Sequence, residues 1–195
     1  MSAQQQSPDA AGEWKQAFTV GSHLAHAMAF PVAIWTTRFG TWGSRYLTTT
    51  AVLGTVWPLG LAVLYGPHPR LMDLFRFWLA CIVLLLVHRA AGVVRRWRGY
   101  RCHSRFWGRS WLDRGTDESS ERRARTADSV LAAAIGFLVH LAGSGPLGVL
   151  LMVGGATKLL TDGIVFMATE ARLREMEDAR VETDYYADRF RQRIG

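Results

Sequence analysis

Lys158 and Asp162 are the residues whose types and spacing are best suited to chemistry. They lie four positions apart inside an apolar segment, so on an α-helix their side chains share one face. Each charge alone at mid-bilayer costs roughly 2.5 to 3.5 kcal/mol on insertion scales. The pair could relay an ion or a proton, with His140 contributing at another depth, or it could be structural. We favour the structural interpretation, because a single pair without further acidic groups supplies too few sites for an ion or proton pathway across the membrane.

The remaining chemically capable residues predict no metal site and no cofactor. His23 and His26 lie one helical turn apart, but they lack a nearby third ligand. Cys102 and His103 lack the spacing of a zinc site, and Cys81 lies in an apolar run, so we expect no disulfide. The sequence contains no P-loop, dinucleotide-binding, zinc-protease or serine-hydrolase motif. We therefore expect a protein that is not an enzyme.

The distribution of charge along the chain predicts a membrane protein. The sequence has 195 residues, is 49% hydrophobic and has a formal net charge of +7. Its mean hydropathy of +0.05 hides a segregation, because the charges occur in blocks and the segments between them are long enough to cross a bilayer. The basic surplus favours anionic lipid over nucleic acid as a partner, because no nucleic-acid-binding motif accompanies it.

The segment 95–128 organises the prediction of topology. It contains ten arginines and no lysine, and apolar regions flank it on both sides. Short loops rich in basic residues stay on the cytoplasmic side of a membrane, so we expect a cytoplasmic loop. Its first half interleaves arginines with aromatic rings, which suits an anionic membrane surface. We predict lipid-headgroup binding by Arg95, Arg96, Arg98, Arg101, Arg105 and Arg109, and interfacial positions for Trp97, Trp107 and Trp111.

The part of the chain before this loop predicts a tail, an interfacial segment and a helical hairpin. Residues 1–13 are polar, and we predict that they are disordered. Residues 14–45 predict one or two short interfacial helices that are interrupted at Pro31. We expect Trp42 at headgroup depth within that segment. Residues 46–94 predict two crossings joined by a turn at 66–69, with Asp73 and Arg76 paired on one helix face.

The part of the chain after the loop is ambiguous between three arrangements. Residues 129–168 can form a second hairpin whose first helix is short, or a re-entrant pair of helices that does not cross the membrane. They can also form one kinked helix from Val130 to Ala156 followed by an interfacial helix. We favour the hairpin, because the turn at 143–146 carries no charge. Small residues on each leg, Ser129, Ala132, Ala133 and Gly136 against Gly154 and Gly155, predict close packing.

The last segment, residues 169–195, predicts a charged helix that lies in the cytoplasm. Its six arginines nearly balance its seven acids, and an interrupted apolar stripe suits a partner protein better than lipid. The full prediction is an all-α integral membrane protein with four transmembrane helices in two hairpins, with both termini and the basic loop cytoplasmic. We expect it in the plasma (inner) membrane as a non-catalytic subunit or scaffold that contacts anionic lipid and other proteins, with homo-oligomerisation open. The alternative is a small transporter or channel subunit that uses Lys158 and Asp162.

Overall fold

The computed structural model describes residues 9–100, 108–115 and 117–194. Its side chains are described at residues 20–43, 51–100, 108–115, 117, 119–186 and 189–190. The chain divides into two compact units, Met1–Thr161 and Asp162–Gly195. The described residues form five α-helices: α1 (Asp9–Thr36), α2 (Ser44–Tyr65), α3 (Leu71–Trp97), α4 (Glu118–Leu141) and α5 (Gly145–Ile194). Three of them contain windows long and apolar enough to cross a membrane, which lie in α3, α4 and α5.

Helix α1 differs from the short interfacial helices predicted for this part of the chain. It begins at Asp9, so it includes residues 9–13 of the predicted tail, and it continues through Pro31 to Thr36. The proline lies between Phe30 and Ile34, which are both fully buried, so packing holds the helix together where one backbone donor is missing. The rest of the predicted tail, residues 1–8, lies outside the described residues.

The first core cluster forms where α1, α2 and α3 meet. Phe30 and Ile34 of α1 pack with Ala51 of α2 and Cys81 of α3. Trp42 also belongs to this cluster and is only 3% exposed, so it packs inside the protein, and its predicted headgroup depth stays a prediction. Its ring stacks on His88, with ring centroids 4.8 Å apart. Two aromatic rings in close contact contribute apolar burial and a specific packing geometry to this core.

The turn at residues 66–69 was predicted correctly, as was the ion pair that follows it. Helix α2 ends at Tyr65, and Gly66 adopts a φ of 55°, a backbone conformation that favours glycine. Helix α3 begins at Leu71, and Arg76 approaches Asp73 at 3.9 Å. Residues 95–97, placed in the loop by the sequence prediction, form the last turn of α3.

The second apolar region also forms two helices, which eliminates the prediction of a single kinked helix from Val130 to Ala156. Helix α4 ends at Leu141, Gly143 adopts a φ of 89°, and α5 begins at Gly145. Helix α4 begins at Glu118, so its polar first turns make it longer than the short first helix that the sequence predicted for this hairpin. Helix α5 then continues without interruption to Ile194, past the boundary predicted at residue 169.

Small residues allow α4 and the first part of α5 to pack closely as antiparallel neighbours. A Cβ atom on Gly155 would lie 2.7 Å from the carbonyl oxygen of Ser129, and one on Gly136 would lie 2.7 Å from the backbone nitrogen of Met152. The predicted contact of Gly155 with α4 is thus confirmed. Gly154 instead faces α1, where its Cβ would lie 2.8 Å from Val32. The small residues therefore join three helices.

Candidate functional site

Several polar and charged side chains are buried inside the helix packing, and many large apolar side chains are exposed on the outside. Buried polar residues include His88, Asp128, Ser129 and Lys158, whereas exposed apolar residues on α3 include Leu79, Val83 and Leu86. The apolar window of α3 has a mean hydropathy of 2.1, yet only 11% of it is buried. A protein folded in water seldom exposes so many large apolar side chains or buries a lysine and several aspartates. The arrangement therefore directs the search for a site to the buried polar groups.

Lys158 lies between α5 and α4 and is 5% exposed. Its Nζ lies 3.4 Å from the carbonyl oxygen of Arg125 and 3.4 Å from the hydroxyl oxygen of Ser129. The Ser129 hydroxyl donates to the same Arg125 carbonyl at 2.9 Å. An ammonium group buried among oxygen acceptors retains part of the solvation that water would give it. These contacts join the Lys158 side chain of α5 to α4.

Asp128 is a buried acid beside Ser129 that the sequence prediction did not single out. It is 4% exposed and lies on α4, although it stands at the end of the charged loop in the sequence. The available signal was the position of Asp128 three residues after Arg125 and next to the first small residue of the packing face. Asp128 is therefore the acid closest in sequence to Arg125 and Ser129, the two α4 residues that Lys158 contacts.

Arg125 connects the buried polar residues to the basic loop. Its guanidinium donates to the Glu121 carboxylate at 2.7 and 3.0 Å and also to the carbonyl oxygen of Gly108. The Arg125 and Glu121 side chains are 11% and 19% exposed, so water screens this ion pair less than it would a surface pair. We call the set Glu121, Arg125, Asp128, Ser129 and Lys158 the buried polar cluster.

The described end of the basic loop is attached to the segment after α1. The backbone N–H of Arg38 donates to the Arg109 carbonyl at 2.7 Å, and the N–H of Trp111 donates to the Thr36 carbonyl at 3.0 Å. An isolated antiparallel bridge joins Thr37 to Ser110. The guanidinium of Arg38 also donates to the carbonyl oxygen of Asp113. Residues 108–113 are therefore held in place by hydrogen bonds.

Asp162 and His140 are the other two residues of the predicted intramembrane site. Asp162 is 6% exposed and begins the second unit. His140 is exposed and lies beside Gly148, where a Cβ on that glycine would come 2.6 Å from the His140 Cβ. Eleven residues of α4 separate His140 from Ser129, which is about 16 Å at 1.5 Å per residue. His140 therefore lies at another depth along the helices than Lys158.

The predicted lipid-binding residues that the structure describes are exposed. Arg95, Arg96 and Arg98 lie in and just after the last turn of α3, and Trp97 between them is 87% exposed. Arg109 and Trp111 are exposed on the loop. Arg101, Arg105 and Trp107 lie outside the described residues. The described cations and rings are therefore available to contact a surface.

His88 is a further buried polar residue, in the first core cluster region. It is fully buried, and its Nε2 lies 3.1 Å from the Ile34 carbonyl oxygen. Phe39 contacts the imidazole edge to face, with ring centroids 4.9 Å apart. The ring is thus enclosed between aromatic side chains.

At the opposite end of the first unit, the two inter-helix turns are joined by hydrogen bonds. Arg70 donates to the Ala142 carbonyl at 2.8 Å, and the Ser144 hydroxyl donates to the Asp73 carboxylate at 3.2 Å. His68 also lies here, with its Nδ1 accepting from the Arg70 backbone N–H at 3.2 Å. The sequence placed both turns on one side of a membrane but did not predict these contacts.

Among the described residues, no group of three or more His, Cys, Asp or Glu side chains is arranged to hold a metal ion. No protein-family model, curated protein or solved structure matches this chain. The chemical content of the site is therefore a buried amino group, buried carboxyl groups and an exposed arginine-aromatic surface.

Proposed function

We propose that this protein is a multi-pass membrane protein that acts as a non-catalytic subunit or scaffold of a plasma (inner) membrane assembly. Four helices, α2 to α5, cross the bilayer in two hairpins, and both termini and the basic loop are cytoplasmic. Exposed arginine and tryptophan side chains bind anionic lipid, and the charged end of α5 binds protein. The observation that carries this proposal is the set of large apolar side chains exposed on the outside of helices whose interior also includes buried charged and polar side chains.

The two ends of the first unit support the proposed topology. The α2–α3 and α4–α5 turns contact each other through Arg70 and Ala142 at one end. Arg38, Arg109 and Arg125 come together at the other end through the loop contacts. A membrane protein with its basic residues on the cytoplasmic side has this distribution, because short basic loops are not translocated.

The length of α3 supports headgroup binding by its last turn. The helix has 27 residues, which is about 40 Å at 1.5 Å per residue, against about 30 Å for a hydrocarbon core. If Leu71 lies at the outer boundary, Arg95 and Arg96 extend beyond the inner boundary by about 6 to 8 Å. That is the depth at which guanidinium groups meet phosphates.

The lipid proposal is tested by the amount of anionic lipid that co-purifies with the protein. Gentle detergent extraction from bacterial membranes, followed by native mass spectrometry, should show bound phosphatidylglycerol or cardiolipin. A variant with Arg95, Arg96 and Arg98 replaced by glutamine should lose most of it. The matched control replaces three arginines of α5 instead, Arg172, Arg174 and Arg180, and should retain it. Equal retention by both variants contradicts the proposal.

The second candidate is a transporter or channel subunit, and the burial of Lys158 and Asp162 is the observation in its favour. The contacts of Lys158 favour the scaffold, because its amino group is occupied by α4 acceptors. Ion or proton flux in vesicles containing the purified protein separates the candidates. Flux that Asp162→Asn abolishes supports the transporter and contradicts the scaffold.

A further inference from the structure

The final part of α5 carries apolar side chains in a seven-residue repeat. Starting from Leu173, the positions at alternating separations of three and four residues form one stripe on the helix. In heptad notation, the apolar members at positions a and d are Leu173, Met176, Ala187, Phe190 and Ile194. Arg180 and Thr183 occupy the a and d positions in the middle of the stripe. The repeat is therefore a coiled-coil seam with one polar layer.

The described side chains of this seam are exposed. Every residue from 167 to 186 is exposed, and the exposed fractions are 48% for Leu173, 61% for Met176 and 67% for Phe190. A single helix gains little stability in water from backbone hydrogen bonds alone and depends on packing of its apolar face. The exposed apolar stripe thus needs a second helix to pack against.

The charges beside the seam match those of an identical, parallel helix. Arg172 lies at position g and Glu177 lies five residues later at position e, and in a parallel pair position g faces position e of the next heptad of the partner. Arg172 of each copy then meets Glu177 of the other, and the two-fold symmetry makes this contact twice. In an antiparallel pair, position e faces position e, which brings Glu177 near Asp184 of the other copy and is repulsive.

The polar layer at Arg180 fixes which residues face each other. A charged residue at a single a position lowers stability but selects one register and a two-stranded state. Arg180 already has an acid one turn away, since its Nε lies 3.9 Å from the Asp184 carboxylate. This neighbour offsets part of the repulsion between the two copies of Arg180 when the helices are aligned.

We propose that residues 169–194 form a parallel, two-stranded coiled coil with the same segment of a second copy of this chain. The inference rests on the proposed function in one respect: two copies inserted in the same membrane share an orientation, so their final helices point the same way. The partner of the charged helix is then the protein itself.

Disulfide trapping in membranes tests the pairing. In a background with Cys81→Ala and Cys102→Ala, Met176→Cys places a thiol on the seam, and Asp178→Cys places one on the opposite face as the control. Mild oxidation should convert most of the Met176→Cys protein, but little of the control, to a covalent dimer. Equal dimer yields from the two variants contradict the proposal. In the antiparallel pair that places Glu177 near Asp184, Met176 does not face itself.

Charge reversal supplies a second test that leaves Cys81 and Cys102 in place. Arg172→Glu should weaken the dimer about tenfold in detergent, because two attractive contacts become repulsive, and adding Glu177→Arg should restore it. Arg180→Leu should strengthen the dimer, since it removes the polar layer. An unchanged dissociation constant in Arg172→Glu, or no rescue by the double variant, overturns the parallel pairing.

The two proposals fail in different ways. If the protein remains in solution without detergent, the membrane proposal fails, whatever the disulfide yields. If the protein is embedded in the membrane but Met176→Cys forms no more dimer than Asp178→Cys, only the coiled coil fails.

Discussion

The guanidinium of Arg70 donates a hydrogen bond to the carbonyl oxygen of Ala142 at 2.8 Å, and the two residues are 72 positions apart in the sequence. This contact joins the turn between α2 and α3 to the turn between α4 and α5. Ser144 and Asp73 make a second contact at the same place, with 3.2 Å between the hydroxyl and carboxylate oxygens. The α2–α3 and α4–α5 turns therefore lie at the same end of the first unit.

Arg70→Gln should loosen the contact between the turns. A hydrogen bond from a charged donor contributes about 1.5 to 3 kcal/mol when it is protected, and solvent at this exposed site should reduce the loss to about 1 kcal/mol or less. The measurement is the thermal unfolding midpoint in detergent. Arg76→Gln is the control, because its 3.9 Å contact with Asp73 is on the same helix and its side chain is 77% exposed. A larger effect at Arg76 contradicts this account of the turns.

Gly155→Ala should destabilise the protein, although alanine normally favours a helix over glycine. The added Cβ would lie 2.7 Å from the Ser129 carbonyl oxygen and 2.9 Å from the Ala133 backbone nitrogen, so two backbones must move apart. We expect a loss of about 1 to 3 kcal/mol. Gly60→Ala has nothing within 4 Å of the new atom and should be neutral or stabilising by about 0.5 to 1 kcal/mol. Equal effects at the two sites contradict the close packing of α4 on α5.

His88→Ala should destabilise the first core cluster strongly. It removes a ring that is fully buried against Trp42 and Phe39 and leaves a cavity, for which we expect about 2 to 4 kcal/mol. Chemical unfolding followed by tryptophan fluorescence measures the loss. Arg89→Ala, at the next and exposed position, should change stability by less than about 0.5 kcal/mol. If His88→Ala behaves like Arg89→Ala, the imidazole does not contribute to the core.

Arg125→Gln should release the described end of the basic loop. The substitution removes the contacts with Glu121 and with the Gly108 carbonyl oxygen, so residues 108–115 lose one of their attachments. We expect trypsin to cleave after Arg109 or Arg114 several-fold faster in detergent. Arg123→Gln is the control, because the Arg123 side chain is exposed and donates to the Ser119 carbonyl oxygen of its own helix. Unchanged cleavage rates place the loop contacts elsewhere.

The helices were predictable from the sequence because their signals are local. The double proline and glycine at 66–69 ended α2 where the structure ends it, and the apolar run of α3 was long enough to be recognised. Gly155 and Ser129 could be matched because small residues on two adjacent helices permit close approach.

The positions that sequence reasoning missed depend on contacts between distant segments. Trp42 resembles an interfacial tryptophan by composition, and only the folded chain shows it between Phe30 and His88. Pro31 predicts a broken helix until its buried neighbours are known. Asp128 looked like part of a solvated loop, because nothing local indicates that α4 is packed at its polar end. The role of Lys158 and Asp162 stays a prediction.

The position of each end of the bundle relative to the membrane tests the central claim most directly. Single cysteines at Pro69 and Ala142 report on the two turns, and single cysteines at Leu112 and Glu182 report on the loop and the final helix, in a background without Cys81 and Cys102. These four positions are all exposed. We predict that a membrane-impermeant maleimide labels the first two in intact cells and the last two only after the membrane is opened. Labelling of Leu112 in intact cells, or labelling of only one of the two turns, contradicts the four-helix topology.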